Sequence, residues 1–346
     1  VIGGTAQDAA TLSRETLPDL ALIDAAAARL RGHVRETPVL ESPGLNALAG
    51  RRVLVKAESL QHTGSFKYRG AKSAITALVA AGGCRGVVAY SSGNHGQGIA
   101  RAAAEAGVPA VIVMPADAPH TKARAITALG AEIIAYDRRT QDREAIAHPI
   151  LQTRGFTLIP PYDDRQVIAG QATAGLELAR QAAAMGVTHA DVLTCCGGGG
   201  LSAGLALALG RDAPGLRVRT VEPVGFDDMA RSLRGTPGPN APDAASICDA
   251  ILTPAPGRLT LPILQHHAGP GIAISDDDTQ RAMAAAFAHL RIVLEPGGAV
   301  GLAAALAHDG PSDAPVIAIA SGGNVDADLF IQAVAAFATQ VTARFI

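Results

Sequence analysis

The feature that most limits what this chain can fold into is a repeated switch between short apolar runs and longer Ala-rich stretches. Val87-Val88-Ala89-Tyr90 reads as a buried strand, residues 97–106 as a helix, and residues 110–114 as the next strand. Residues 121–129 then read as a helix and 132–136 as a strand. Such a β-α-β-α-β series implies parallel strands, because the crossovers between them are right-handed. A second series has a helix from 166 to about 185 and a strand over 191–195, with residues 197–200 leading into a helix to 209. A strand over 217–221, a helix over 298–308 and a strand over 315–320 complete it. Two α/β units are expected, with ligands at the carboxyl ends of the strands.

Composition narrows the function classes. Of 346 residues, 48% are hydrophobic and 17% charged, so a large core is expected and global disorder is excluded. The formal net charge of -2 argues against a nucleic-acid partner or a membrane-surface role. Only 3% of residues are aromatic and Trp is absent, so no base-stacking platform is expected. Cys84, Cys195, Cys196 and Cys248 form no C-x-x-C pair, so neither a disulfide framework nor a zinc site is expected, and a cytoplasmic location fits. No run approaches the ~20 apolar residues of a membrane span, and Val1-Ile2-Gly3-Gly4 lacks the basic start of a secretory signal. The Pro- and Gly-rich stretch 235–264 reads as a long ordered loop.

Three polar, Gly-rich turns follow strands. In Gly197-Gly198-Gly199-Gly200 the missing side chains let successive amides converge at a helix N-terminus, which suits a phosphate. Neither a Walker sequence nor the usual dinucleotide fingerprint accompanies it. Ser91-Ser92-Gly93-Asn94-His95-Gly96-Gln97 opens another helix. There Ser92 or Asn94 suits a helix cap, and the same donors equally suit a substrate carboxylate. Ser321-Gly322-Gly323-Asn324 is the third, and three such turns at strand ends would meet in one crevice.

Lys67 lies in Thr63-Gly64-Ser65-Phe66-Lys67-Tyr68-Arg69-Gly70, beside a helix start. Alone, a lysine is a solvated charge; beside Gly64, Ser65, Phe66 and Gly70 a desolvated amine of lowered pKa is the other reading, and the sequence around it leaves both open. Glu222 and Asp228 flank the Phe226 carbonyl, a set of hard oxygens that spacing alone leaves as an acidic loop. Asp276-Asp277-Asp278 reads as the cap and favourable charge of a following helix.

Together these motifs resemble the serine/threonine dehydratase and serine racemase family, the fold type II, tryptophan synthase beta-like branch of pyridoxal-phosphate enzymes. The likeness runs from about Leu20 onward and includes Ile168-Ala169-Gly170-Gln171 and Glu295-Pro296. It implies two domains, each a largely parallel twisted sheet flanked by helices. Residues 1–85 and 161–346 would form the larger one, and 86–160 the smaller, closing over the cleft.

By the same resemblance, Lys67 carries pyridoxal 5'-phosphate and then acts as the α-proton base, with Phe66 near the ring. Gly197, Gly198, Gly199 and Gly200 hold the phosphate, Asn94 the phenolic oxygen and Ser321 the ring nitrogen. Ser92 stands opposite Lys67, and Ser91, Ser92, Gly93, Asn94 and His95 take the substrate carboxylate. Glu222, Phe226 and Asp228 match a divalent-cation site for Mg or Ca.

The implied activity is β-elimination of water from L-threonine or L-serine, giving a 2-oxo acid and ammonia, in a catabolic homodimer. Serine racemisation, or dehydration of 3-hydroxyaspartate or phenylserine, are the alternatives. A non-catalytic small-molecule sensor on the same fold is disfavoured by Lys67.

Overall fold

The computed structural model describes residues 17–91, 93–118, 120–307 and 313–342. Its strands are β1 (Val39–Glu41), β2 (Val53–Lys56), β3 (Val87–Tyr90), β4 (Ala110–Pro115) and β5 (Glu132–Tyr136). They continue with β6 (Thr157–Leu158), β7 (Ala190–Cys195), β8 (Leu216–Pro223), β9 (Ile272–Ile274) and β10 (Val316–Ile319). They form a six-stranded sheet in the order β1-β2-β10-β7-β8-β9 and a four-stranded sheet in the order β5-β4-β3-β6. Every pairing is parallel except β1 with β2. The expected α/β architecture is therefore present, with β3, β4, β5, β7, β8 and β10 where the apolar runs place them.

Strands β3, β4 and β10 are unbroken apolar runs, as expected where helices cover both faces of a sheet, whereas β8 carries Arg217 and Arg219. β3 and β10 are buried along their whole length. Strands β1, β6 and β9 give no sequence signal because they are only 3, 2 and 3 residues long, too short for periodicity to show, and β2, with 4 residues ending in Lys56, is not predicted either. The stretch expected to be loop from 235 to 264 becomes helical at Thr260–His267. Asp276–Ala285 is a helix, but its cap is Ser275, which accepts from the Asp278 amide; the three aspartates fill its first turn instead. There their charge still favours the helix dipole.

Two hydrophobic cores meet at the segment containing Lys67. Phe66 belongs to the core of the six-stranded sheet, with Leu54, Leu193 and Ile319. Tyr68, Ala71 and Ile75 of helix Lys67–Ala80 pack instead with Val87, Ala89 and Ile112 of the four-stranded sheet. Lys67 thus stands at the seam between the two cores.

A buried ion cluster anchors that helix. Both ends of the Arg69 guanidinium are gripped, by Glu58 (2.7 and 2.9 Å) and by Glu177 (2.6 and 2.8 Å). Lys56 Nζ completes the set at 2.6 Å from Glu177. Two cations face two carboxylates, so no charge is left uncompensated where desolvation is costly.

Candidate active site

The Lys67 segment is stitched to the far end of the chain. Phe66 N donates to Ser321 O (3.0 Å), Gly323 N to Gly64 O (2.9 Å), and Ser65 bridges Gly322. Asn324 Nδ2 donates to Thr63 O (2.8 Å), holding a β-branched residue at φ 60°, where few side chains sit without strain. Residues more than 250 positions apart thereby share one wall.

That wall belongs to a cavity of about 150 Å³. Phe66, Lys67, Ser91, Gly93, Asn94, His95, the four glycines from Gly197 to Gly200, and Ser321 all line it. The three turns read from the sequence therefore do converge. Ser92, expected opposite Lys67, lies outside the described residues.

Each wall residue has a definite state. Lys67 Nζ donates to Pro161 O (2.7 Å) and lies 5.1 Å from the Phe66 ring centre. Burial pushes this amine down to about 8, so its uncharged form is within reach near neutrality. His95 Nε2 is 2.9 Å from Ile159 O, and a carbonyl only accepts, so this nitrogen carries the proton. Burial and the nearby Lys67 push His95 down to about 3, leaving it neutral.

Helix Asn94–Ala106 has Asn94 as its first residue, so Asn94 is not its cap. Ser92, the other residue suited to that role, lies outside the described residues; Ser91 Oγ accepts from Gly93 N (2.9 Å) and Gly96 N (2.8 Å). Asn94, inside the first turn, donates to Glu295 and accepts from Asn324 Nδ2 (2.8 Å).

The glycine loop fits a phosphate. Among the described residues the amides of Gly197, Gly198 and Gly199 donate to no protein acceptor, and helix Gly200–Asp212 begins behind them. Side chains are excluded: a Cβ on Gly198 would run into the Tyr162 ring, and one on Gly200 would come within 2.9 Å of Tyr162 Cα. With a partly uncharged lysine opposite, the cavity suits a phosphorylated aldehyde.

Several wall residues had no signal in the sequence. Tyr162, Arg143, Asp249 and Cys195 line the cavity, and Lys122 lies behind it. Lys122 is 3% exposed, its ammonium between Asp249 (2.8 Å) and Glu295 (3.1 Å). Its stem fills the space a Cβ on Gly93 would need. Nothing in an Ala-rich helix marks such a lysine, since only the tertiary fold buries it.

Glu222 and Asp228 lie apart, beyond the cavity lining. Both Glu222 oxygens accept backbone amides, from Met229 (2.9 Å) and Ala230 (2.7 Å). Asp228 Oδ1 accepts from Asn240 (3.2 Å), while its Oδ2 is buried without a hydrogen-bond partner. Burial raises Glu222 to about 8. Among the described residues no group of three or more His, Cys, Asp and Glu is arranged to hold a metal ion.

Known proteins agree with this geometry. The family model described as "Pyridoxal-phosphate dependent enzyme" matches residues 30–322. An L-threo-3-hydroxyaspartate ammonia-lyase of Pseudomonas sp is 40% identical over 81% of this chain and 86% of its own length. A serine racemase of Schizosaccharomyces pombe is 37% identical over 91% and 96%. The crystal structure of a T.th. threonine deaminase superposes with a TM-score of 0.83 at 42% identity, covering 89% of this chain and 99% of that one. The chain belongs to the pyridoxal-phosphate dependent enzymes, within the group of hydroxyamino-acid lyases and racemases.

Proposed function

We propose that this enzyme eliminates water from a β-hydroxyamino acid, L-threonine or L-serine, to give a 2-oxo acid and ammonia. The observation that carries this reading is the cavity in which Lys67, the four-glycine loop and Ser321 face one another. Pyridoxal phosphate, when bound, supplies the electron sink that acidifies the substrate α-proton. In this reading Lys67 holds the cofactor, Gly197 to Gly200 its phosphate, Asn94 its phenolic oxygen and Ser321 its ring nitrogen, with Phe66 against the ring.

The Lys67 amine, lowered by burial, then takes the α-proton, while the turn from Ser91 to His95 holds the carboxylate. Neutral His95 cannot offer a second cation there. A hydroxyl facing the ring nitrogen cannot stabilise a pyridinium as a carboxylate would. Prompt loss of the β-hydroxyl is therefore favoured over long-lived carbanion chemistry. The unit 86–160 closes over the substrate and excludes water.

A second substrate is favoured by Arg143. This cavity-lining side chain stacks on Tyr90 (5.2 Å) and has no carboxylate partner among the described residues. It suits the second carboxylate of 3-hydroxyaspartate. Racemisation needs a second base opposite Lys67, the place assigned to Ser92. The same proposal gives Glu222, Asp228 and the Phe226 carbonyl a hard divalent cation, supported by the orphaned Asp228 oxygen.

Two measurements test the proposal. Borohydride reduction of the holoenzyme followed by peptide mapping should place the pyridoxyl group on Lys67; its appearance on another lysine refutes the assignment. A panel of L-serine, L-threonine, their D-isomers, 3-hydroxyaspartate and phenylserine, followed for oxo acid, ammonia and enantiomer, identifies the reaction. Inversion without oxo acid would sink the dehydratase reading.

A further inference from the structure

Ser321 has a neighbour whose role the reaction scheme leaves unassigned. Cys195, the last residue of β7, is buried, lines the cavity and donates from Sγ to Ser321 Oγ (3.1 Å). β10, which leads into Ser321, pairs with β7, so the two side chains emerge from adjacent strand ends. A serine hydroxyl has one proton and two lone pairs. The thiol occupies one lone pair, and among the described residues the hydroxyl proton has no acceptor.

Sulfur is a poor acceptor, so with a ring nitrogen nearby the proton of Ser321 turns away from Cys195. Burial pushes the Cys195 thiol up to about 11, which keeps it protonated, and hence a donor, across the working range.

The geometry points to Cys195 as a positioning residue: its thiol fixes the Ser321 hydroxyl so that the hydroxyl proton is directed at the cofactor's ring nitrogen. This rests on the reading of Ser321 as the ring-nitrogen partner. The consequence is electronic. A ring nitrogen that accepts a hydrogen bond without taking the proton stays uncharged, and a fixed donor holds it in that state more uniformly than a rotating one.

The test uses the holoenzyme and its absorption spectrum across pH, with S321A, C195A and C195S compared. S321A should displace the band of the bound cofactor. C195A should displace it in the same direction by less, and weaken cofactor binding about two- to fivefold, as expected for one weak S–H···O bond. C195S, which keeps a donor in place but adds a competent acceptor, should displace the band less than C195A does.

In the cofactor-free protein, the S–H stretching band of Cys195, isolated by difference against C195A, should move in S321A as the hydrogen bond is lost. A displaced band in S321A with an unchanged one in C195A overturns the role of Cys195 but spares Ser321. Equal displacement in C195A and C195S makes packing, not donation, the cause, and overturns it too. No displacement in S321A removes the reading of Ser321 itself.

Discussion

Replacing Lys122 by Met removes one ammonium from between two carboxylates. Glu295, 1% exposed, is the partner that matters, because Asp249 reaches solvent with 38% of its side chain and is readily rehydrated. Breaking a buried pair from one side costs about 3–5 kcal/mol, since the other charge stays behind. Burial already raises Glu295, while Lys122 and Asn94 pull it back down. Without Lys122, its folded-state pKa climbs further above the unfolded value.

A carboxyl raised in this way is harmless below its unfolded pKa of about 4.3, and the stability deficit grows as pH rises through the folded value. K122M should therefore unfold at lower urea than wild type near pH 8, with the gap closing toward pH 5. Adding E295Q to K122M should recover most of the loss at high pH, because the stranded charge is gone. A deficit independent of pH, or a double variant no more stable than K122M, would refute the assignment of Glu295 as the stranded charge.

Three further outcomes are expected. G198A, whose new methyl meets the Tyr162 ring, should weaken cofactor binding at least tenfold in a fluorescence titration while leaving the far-ultraviolet dichroism intact. R143M should lower kcat/KM for 3-hydroxyaspartate about a hundredfold, as for a lost bidentate carboxylate contact, and change that for serine less than threefold; equal losses on both substrates count against the contact. Glu222, raised to about 8, stabilises the fold below about 4.3 and ceases to do so as pH rises through 8. Mg or Ca should thus raise the thermal midpoint most above pH 8, and a chelator that changes nothing there removes the cation from the proposal.

Much of this molecule was legible because several central strands are short apolar runs that lead into Gly-rich turns. β3, β7 and β10 each finish at or near a polar turn, and convergence of the turns follows from parallel topology. Lys67 was legible only through the company it keeps. What stayed hidden depends on tertiary burial. Lys122 and Tyr162 look like ordinary surface residues until one is enclosed by Asp249 and Glu295 and the other is laid against the glycine loop. Ser91 as an acceptor for the helix start was equally hidden, because only the backbone path brings its hydroxyl to the Gly93 and Gly96 amides.

β10 lies between β2 and β7, although it is the last strand to be made. On the ribosome, β2 and β7 must therefore wait with open edges until residue 319 emerges, whereas the four-stranded sheet is complete by residue 158. The catalytic wall cannot exist before β10 has emerged, because Ser321 arrives with it. Cofactor loading thus follows the emergence of β10, and strands with waiting edges are the part of this protein most exposed to misassembly. An abrupt loss of solubility on truncation just before β10, but not on truncation after Leu158, would express that order of assembly.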